Sequence, residues 1–153
     1  MFKNAAFVLA GAKKEFKDEE LARRSVEIAM LFIGEEATEY AWEHIKRASS
    51  VIHDVDDNVL QLKFKAVYAQ VQESMHKWLD SSQKYVDIAN SPGLETKEVM
   101  VALEKAVRCV ILSPAGPRRQ RVMGLLYKDE RAAGLTFFSM LEKMFLGQFI
   151  SAE

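Results

Sequence analysis

Residues 21–49, LARRSVEIAMLFIGEEATEYAWEHIKRAS, contain the pattern that decides the fold. Over residues 21–32, apolar or small residues recur at helical spacing, at alternating steps of four and three. Gly34 interrupts the pattern, and a second run at helical spacing follows over residues 37–48. Because this second run consists mostly of small residues, another helix can approach it closely. The stretch therefore predicts two helices that pack against each other.

The residues just before this stretch carry a helix-start signal. Asp18 is followed by Glu19 and Glu20, and aspartate is a preferred N-cap residue while the helix dipole favours acidic groups in the first turn. We therefore expect the first helix to begin near residue 18. Residues 1–14, MFKNAAFVLAGAKK, loosely resemble a secretory signal, but the basic region is a single lysine. We interpret them as part of a helix.

The helix pair recurs at a spacing of about 40 residues. Predicted helix starts fall near residues 18, 58 and 95, and positions occupied by small residues tend to stay small. A shift of 40 aligns Ala29 with Ala69, Leu31 with Val71, Gly34 with Ser74, Ala41 with Ser81, Ile45 with Tyr85 and Ala48 with Ile88. A recurring pair of this length is typical of tetratricopeptide-like repeats, in which stacking buries the apolar faces. We predict an all-α chain of about three and a half such pairs in a right-handed α-solenoid.

The remaining segments also read as helices separated by polar or proline-containing breaks. The sequence LQLKF could form a strand by itself, but the longer apolar stripe through Met75 favours a helix. We predict further helices over residues 60–75, 78–88, 99–110 and 122–126, and a last one that carries Leu135, Phe138, Leu141 and Phe145.

The segment ILSPAGPRRQRVMGLLYKDERAAG, residues 111–134, reads as a corner between helices. Pro114 ends one helix, Gly116 gives the turn, and Pro117 suits the first position of the next helix. Asp129 is a natural N-cap with Glu130 in the following first turn. This interpretation leaves Arg119, Arg121 and Arg131 to be explained, either as braces of the corner or as contacts to a neighbour.

Composition predicts neither nucleic acid nor membrane as a partner. The net charge is -1, and three arginines near residue 120 without aromatic partners make a poor nucleic-acid footprint. No apolar run approaches the roughly 20 residues that cross a bilayer. A single cysteine, Cys109, excludes an intrachain disulfide and fits a reducing compartment.

The sequence also offers no complete metal or catalytic set. Asp54, Asp56 and Asn58 resemble the start of a calcium loop, but the glycine and the final glutamate of that loop are absent. The Glu-x-x-His of residues 73–76 occurs once, where di-iron bundles need two such motifs. Cys109 lies on an apolar helix, where free cysteines usually act as small hydrophobes. We predict no enzyme activity and no cofactor.

The corner segment resembles the subunit-four family of the COP-9 signalosome. The shared residues are Cys109, Ile111, Leu112, Ala115, Gly116, Arg119, Arg121, the run Lys128 to Arg131, and the run Leu141 to Met144. Near the N-terminus, NAAFVLAG is similar to the family pattern as well. Pro114 and Pro117 depart from it, which predicts a stiffer corner.

The resemblance implies a non-catalytic scaffold subunit that supports removal of the ubiquitin-like modifier Nedd from cullin-RING ligases, in the cytoplasm and the nucleus. Expected partners are other signalosome subunits and cullin-RING ligases. Arg119, Arg121, Lys128 and Arg131 are the candidate interaction residues. Alternatives are a similar scaffold of the proteasome lid or of a translation initiation factor, and, from another class, a small helical metal protein or enzyme.

From the resemblance we expect residues 1–153 to form one helical-repeat domain. Stacked pairs reach residue 128, and residues 129–153 begin a helical segment that leads toward a winged-helix (PCI) module in family members. Phe145, Leu146, Phe149 and Ile150 would then be exposed, and we expect concentration-dependent self-association through exposed solenoid ends.

Overall fold

The computed structural model describes the backbone of residues 2–147 and the side chains of residues 13, 14 and 16–147. Within that range every regular element is helical and no strand occurs, which confirms the predicted all-α class. The α-helices are α1 (Phe2–Gly34), α2 (Thr38–Ser49), α3 (Asn58–Ser74), α4 (Trp78–Ala89), α5 (Thr96–Leu112), α6 (Pro117–Tyr127) and α7 (Phe138–Phe145). Short 3-10 helices lie at Ile52–Asp54 and Glu130–Gly134.

The chain divides into two compact units, Met1–Val71 and Gln72–Glu153. In the first unit α1 packs against α2, and in the second α4 packs along α5 while α6 contacts α5 and α7. This packing of sequential helices agrees with the predicted α-solenoid of tetratricopeptide-like pairs. The right hand of the solenoid and the assignment of residues 1–153 to one domain stay predictions.

The predicted helix start at Asp18 is wrong, because α1 is continuous from Phe2 to Gly34. No glycine or proline occurs over residues 12–18 to interrupt the helix. The acidic residues act inside the helix instead: Glu19 accepts a hydrogen bond of 2.6 Å from Arg23 one turn later, and Glu20 pairs in the same way with Arg24.

The 40-residue repeat is confirmed in the backbone. α1 ends at Gly34 and α3 at Ser74, and the bounds of α2 and α4 differ by the same 40 positions. Glu36 and His76, again 40 apart, both adopt left-handed backbone, with φ of 59° and 57°. In both turns the second amide after the helix end bonds back toward the helix, as in other left-handed helix ends.

Most of the aligned positions are buried, but Gly34 and Ser74 are exposed at the equivalent helix ends, and Leu31 is 70% exposed where Val71 is buried. Ala41 and Ser81 are each 0% exposed, and Ile45 and Tyr85 are 0% and 3% exposed. Small side chains at these points let the paired helices approach closely, while the larger residues one turn later fill the core. Ala29, Ala69, Ala48 and Ile88 are also buried.

A polar cluster lies inside the second unit around Tyr85. Its hydroxyl donates to Glu73 Oε2 at 2.9 Å, and Arg108 lies 4.0 Å from the other oxygen of that carboxylate. The ammonium of Lys105 sits 5.5 Å from the centre of the Tyr85 ring. Burial, and then the negative charge of Glu73, raise the pKa of Tyr85. The cluster joins α4 to α5 and to the last turn of α3.

We expect Tyr85→Phe to lower the free energy of unfolding by about 1 kcal/mol, because Glu73 loses a partly buried donor. The pKa of Tyr85 is raised above its usual 10.0, so the hydroxyl contributes its full stability below pH 10.0 and loses it as pH rises further. Urea unfolding at neutral and alkaline pH measures both effects. The matched control is Tyr40→Phe, since Tyr40 is 66% exposed. An equal alkaline loss in wild type and Tyr85→Phe would contradict the assignment.

The end of the chain folds partly as predicted. Asp129 is an N-cap, since its side chain accepts from the Arg131 amide at 3.0 Å, but it caps the 3-10 helix Glu130–Gly134. The last α-helix therefore begins at Phe138, so Leu135 lies outside it. Leu146 is 50% exposed, whereas Phe149 and Ile150 lie outside the described residues. Self-association stays a prediction.

Candidate protein-interaction corner

The corner, residues 113–134, begins with the helix end, the turn and the helix start that the sequence predicts. α5 ends at Leu112, and the Ser113 hydroxyl donates to the Val110 carbonyl at 2.6 Å. Gly116 is extended, and Pro117 is the first residue of α6, where its missing amide hydrogen costs nothing. α6 runs to Tyr127, so the predicted helix over residues 122–126 is correct in place but too short.

Close contacts with α7 fix the position of α6. A side chain at Gly124 would meet the Phe145 ring at 3.3 Å, so glycine allows the two helices to approach. Tyr127 stacks on Phe138 with ring centres 6.0 Å apart and lies 5.1 Å from the Phe145 ring. Gln120 Nε2 donates to the Phe145 carbonyl at 3.1 Å, which satisfies a carbonyl at the helix end.

Arg131 braces the corner from inside the second unit. Its Nε and one terminal nitrogen donate to the two oxygens of Asp129, at 3.0 and 2.8 Å. The guanidinium also donates to the Ala89 carbonyl at 3.1 Å and to Asn90 Oδ1 at 2.8 Å. Asp129 and α4 are thereby joined through one side chain. The hydrogen bond from Arg131 holds the pKa of Asp129 below its usual range and raises the pKa of Arg131.

The other arginines of the corner divide into paired and unpaired side chains. Arg118 donates to Asp80 at 3.1 Å and to Gln83 at 2.9 Å, both on α4. Arg119 is half-buried, with a weak 3.9 Å contact to the Met144 sulfur. Arg121 is exposed, and no ion pair to it occurs within the described part of the chain.

Arg121 lies in a surface groove between α4 and α6. The groove measures about 250 Å³ and combines charged with apolar lining. Leu125 is 59% exposed beside it. The groove is lined by Gln83, Val86, Asp87, Arg121, Val122 and Leu125. Lys128, which directly follows α6, is the exposed C-cap of that helix.

The four predicted interaction residues therefore have different environments. Arg131 is engaged within the second unit, Arg119 has only the weak sulfur contact, and Arg121 and Lys128 are exposed. Reasoning from the sequence missed the ion pair of Arg118, because Asp80 lies 38 positions earlier and no local pattern connects them. A role of these residues in binding a partner stays a prediction.

The described residues include no group of three or more histidine, cysteine, aspartate or glutamate side chains placed to hold a metal ion. Glu73 is engaged by Tyr85 and Arg108. Cys109 is 1% exposed, as predicted for a small buried residue, and burial raises the pKa of its thiol above the usual range. Among the described residues, no helix is both long and apolar enough to cross a bilayer.

The paired helices define an all-α protein with the helix packing of an α-solenoid. No protein-family model matches the chain. Curated proteins named COP9 signalosome complex subunit 4 do match it. The protein from Neurospora crassa is 37% identical over 149 residues, that from Emericella nidulans 34% over 128, and that from Dictyostelium discoideum 37% over 141.

These matches cover 96%, 84% and 92% of the chain, respectively. They cover 34%, 31% and 36% of the relatives, so the chain spans about a third of the length of the proteins it matches. The predicted resemblance is confirmed: the chain is a homologue of a segment of COP9 signalosome subunit 4.

Proposed function

We propose that the chain acts as a non-catalytic scaffold segment of the COP9 signalosome. The observation that carries this proposal is the similarity to curated subunit 4 proteins over nearly the whole chain. The fold supports it, because paired helices present rigid surfaces for other proteins. Other signalosome subunits are the partners, and through them the chain supports removal of the Nedd modifier from cullin-RING ligases.

The surface of the corner supports protein partners rather than nucleic acid or membrane. Arg121 and Lys128 are exposed cations in a chain whose net charge is -1, so they offer local charge without a broad basic patch. Leu125 adds exposed apolar area beside Arg121. Mixed apolar and charged surface of this kind suits a protein interface. We place the protein in the cytoplasm and the nucleus, where its buried thiol stays reduced.

Reversing the two exposed cations tests the surface. We expect the Arg121→Glu, Lys128→Glu double variant to capture about ten-fold less of the other signalosome subunits, because like charges replace complementary ones at the contact. The measurement is affinity capture of the tagged protein from extracts of its own cells, with quantitative mass spectrometry of the subunits. Lys97→Glu is the matched control, since Lys97 is exposed on α5 in the same unit.

Three results would count against the proposal or a part of it. Capture of wild-type protein that recovers none of the signalosome subunits would remove the scaffold role. Equal recovery with the double variant and with Lys97→Glu would remove the corner as the contact surface while leaving the scaffold role. Stoichiometric iron or zinc in purified protein would favour a metal protein instead.

A further inference from the structure

Serine is followed by proline at two positions, Ser91-Pro92 and Ser113-Pro114. Proline-directed protein kinases recognise this dipeptide when it is accessible. Ser91 lies outside the corner proposed above for binding other subunits, and Ser113 is the buried first residue of that corner. The two dipeptides differ clearly in how exposed their serines are in the structure.

Ser113 is too buried for a kinase to reach. It is 3% exposed, and its hydroxyl donates to the Val110 carbonyl at the end of α5. Ser91 lies in the turn between α4 and α5, is only half-buried, and is followed by the exposed residues Pro92 and Gly93. Gly93 adopts φ of 84°, so the turn depends on a residue that tolerates left-handed backbone.

The Ser91 turn is not part of the repeat. Forty positions earlier, the chain continues from α2 into the 3-10 helix Ile52–Asp54, which buries Ile52 to 3% exposure. After α4 the corresponding place holds the Ser-Pro-Gly turn, in which Ser91 is half-buried and the next two residues are exposed. The helix α5 begins two positions earlier than a strict 40-residue shift from α3 would place it. The 40-residue repeat therefore does not account for the Ser-Pro-Gly sequence of this turn.

A cation already lies next to Ser91. The guanidinium of Arg131 donates to the Ala89 carbonyl and to Asn90 Oδ1, on the two residues just before the serine. Consecutive Cα atoms are about 3.8 Å apart, so a phosphate on Ser91 falls within reach of this side chain. A phosphate dianion at the carboxyl end of a helix is otherwise unfavourable, and a paired arginine removes that penalty.

We propose that Ser91 is a phosphorylation site for a proline-directed protein kinase and that Arg131 binds the phosphate. In the reaction the Ser91 oxygen forms a bond to the γ-phosphorus of ATP, the bond from that phosphorus to the β-bridging oxygen breaks, and ADP leaves. The hydroxyl proton passes to the catalytic base of the kinase. The product dianion competes with Asp129 for the guanidinium and so changes the brace of the corner.

The last turn of α4 has to open for the kinase. The Ser91 hydroxyl gives up its 2.8 Å bond to the Asp87 carbonyl, and the Ser91 amide gives up its 3.0 Å bond to the Ile88 carbonyl. Both bonds lie at a helix end, where opening is least costly. Ser113 lacks this route, because the residue is only 3% exposed.

Incubation of the whole protein with a purified proline-directed kinase and ATP, followed by mass mapping, tests the site. We expect phosphate on Ser91 and none on Ser113. Ser91→Ala and Pro92→Ala should each lower incorporation at least about ten-fold, and the second variant keeps the acceptor while it removes the recognition element. Ser113→Ala should leave incorporation unchanged. No incorporation while a Ser-Pro peptide is phosphorylated in the same tube, or incorporation on Ser113, would overturn the proposal.

Phosphorus NMR of the phosphorylated protein tests the role of Arg131. We expect the second pKa of the phosphate to be lower by about 0.5 or more in wild type than in Arg131→Gln, because the arginine favours the dianion. Lys143→Gln, an exposed cation on α7, is the control and should match wild type. Equal phosphate pKa values in wild type and a folded Arg131→Gln would overturn the role of Arg131. Both readouts use the isolated protein, so they succeed or fail independently of signalosome capture.

Discussion

Leu103→Ala is expected to lower the free energy of unfolding by about 3 kcal/mol. Leu103 lies on α5, is 0% exposed, and belongs to the helix that packs along α4 in the second unit. Truncation removes the transfer free energy of the buried methyl and methylene groups and leaves a cavity that the two helices cannot fully close. Equilibrium unfolding in urea, followed by circular dichroism, measures the difference.

Leu112→Ala is the matched control, because Leu112 lies on the same helix and is 59% exposed. This substitution should lower the free energy of unfolding by less than about 0.5 kcal/mol, as other surface substitutions do. Both variants replace leucine by the best helix former, so helix propensity does not separate them. Similar losses in the two variants would show that α5 is not packed as described.

Arg131→Ala should lower the free energy of unfolding by about 2 kcal/mol. The change leaves the Asp129 carboxylate, whose side chain is 19% exposed, without its ion partner, and it removes donors from the Ala89 carbonyl and Asn90. The arginine side chain itself is 41% exposed, which keeps the cost below that of a fully buried pair. Arg131→Lys should recover only part of the loss, because lysine lacks the fork geometry.

The pH dependence of this variant has a definite sign. The folded-state pKa of Asp129 lies below its ordinary value of 3.8, so its interaction with Arg131 stabilises the fold above that pH and the contribution is lost as pH falls through the folded pKa. The difference in the free energy of unfolding between wild type and Arg131→Ala should therefore narrow as pH falls below about 4. Arg118→Ala, which breaks a more exposed pair, should cost below about 1 kcal/mol. A gap that widens in acid would contradict the Asp129 assignment.

Arg131 also resolves the question that the sequence left open for one of the three arginines. The sequence left two alternatives for Arg131, a contact that braces the corner or a contact to a neighbouring protein. Its hydrogen bonds to α4 and Asp129 show that it braces the corner. Arg121 remains available for the second, since it is exposed in the groove between α4 and α6. The proposed interaction surface is therefore smaller than the cluster of cations that the sequence suggested.

The repeat could be predicted from the sequence because it depends on the spacing of small and apolar residues along the chain. Gly34 and Ser74 mark equivalent helix ends, and Ala41 and Ser81 are equivalent buried positions. The start of α1 could not be predicted in the same way. Asp18 has the residue type of an N-cap, but a cap forms only where the preceding backbone leaves the helix, and no residue over 12–18 makes it do so.

The sequence by itself determined the helical class, the 40-residue period, the proline turn at Pro114 to Pro117 and the resemblance to signalosome subunit 4, because each depends on residues close together in the chain or on an ordered run of identities. Only the tertiary structure decided which groups far away in sequence the arginine side chains contact. Arg131 reaches Ala89 across 42 positions, and Arg118 reaches Asp80 across 38. Such contacts depend on how helices pack in space. A pattern of local spacing therefore does not predict which group an arginine side chain will contact.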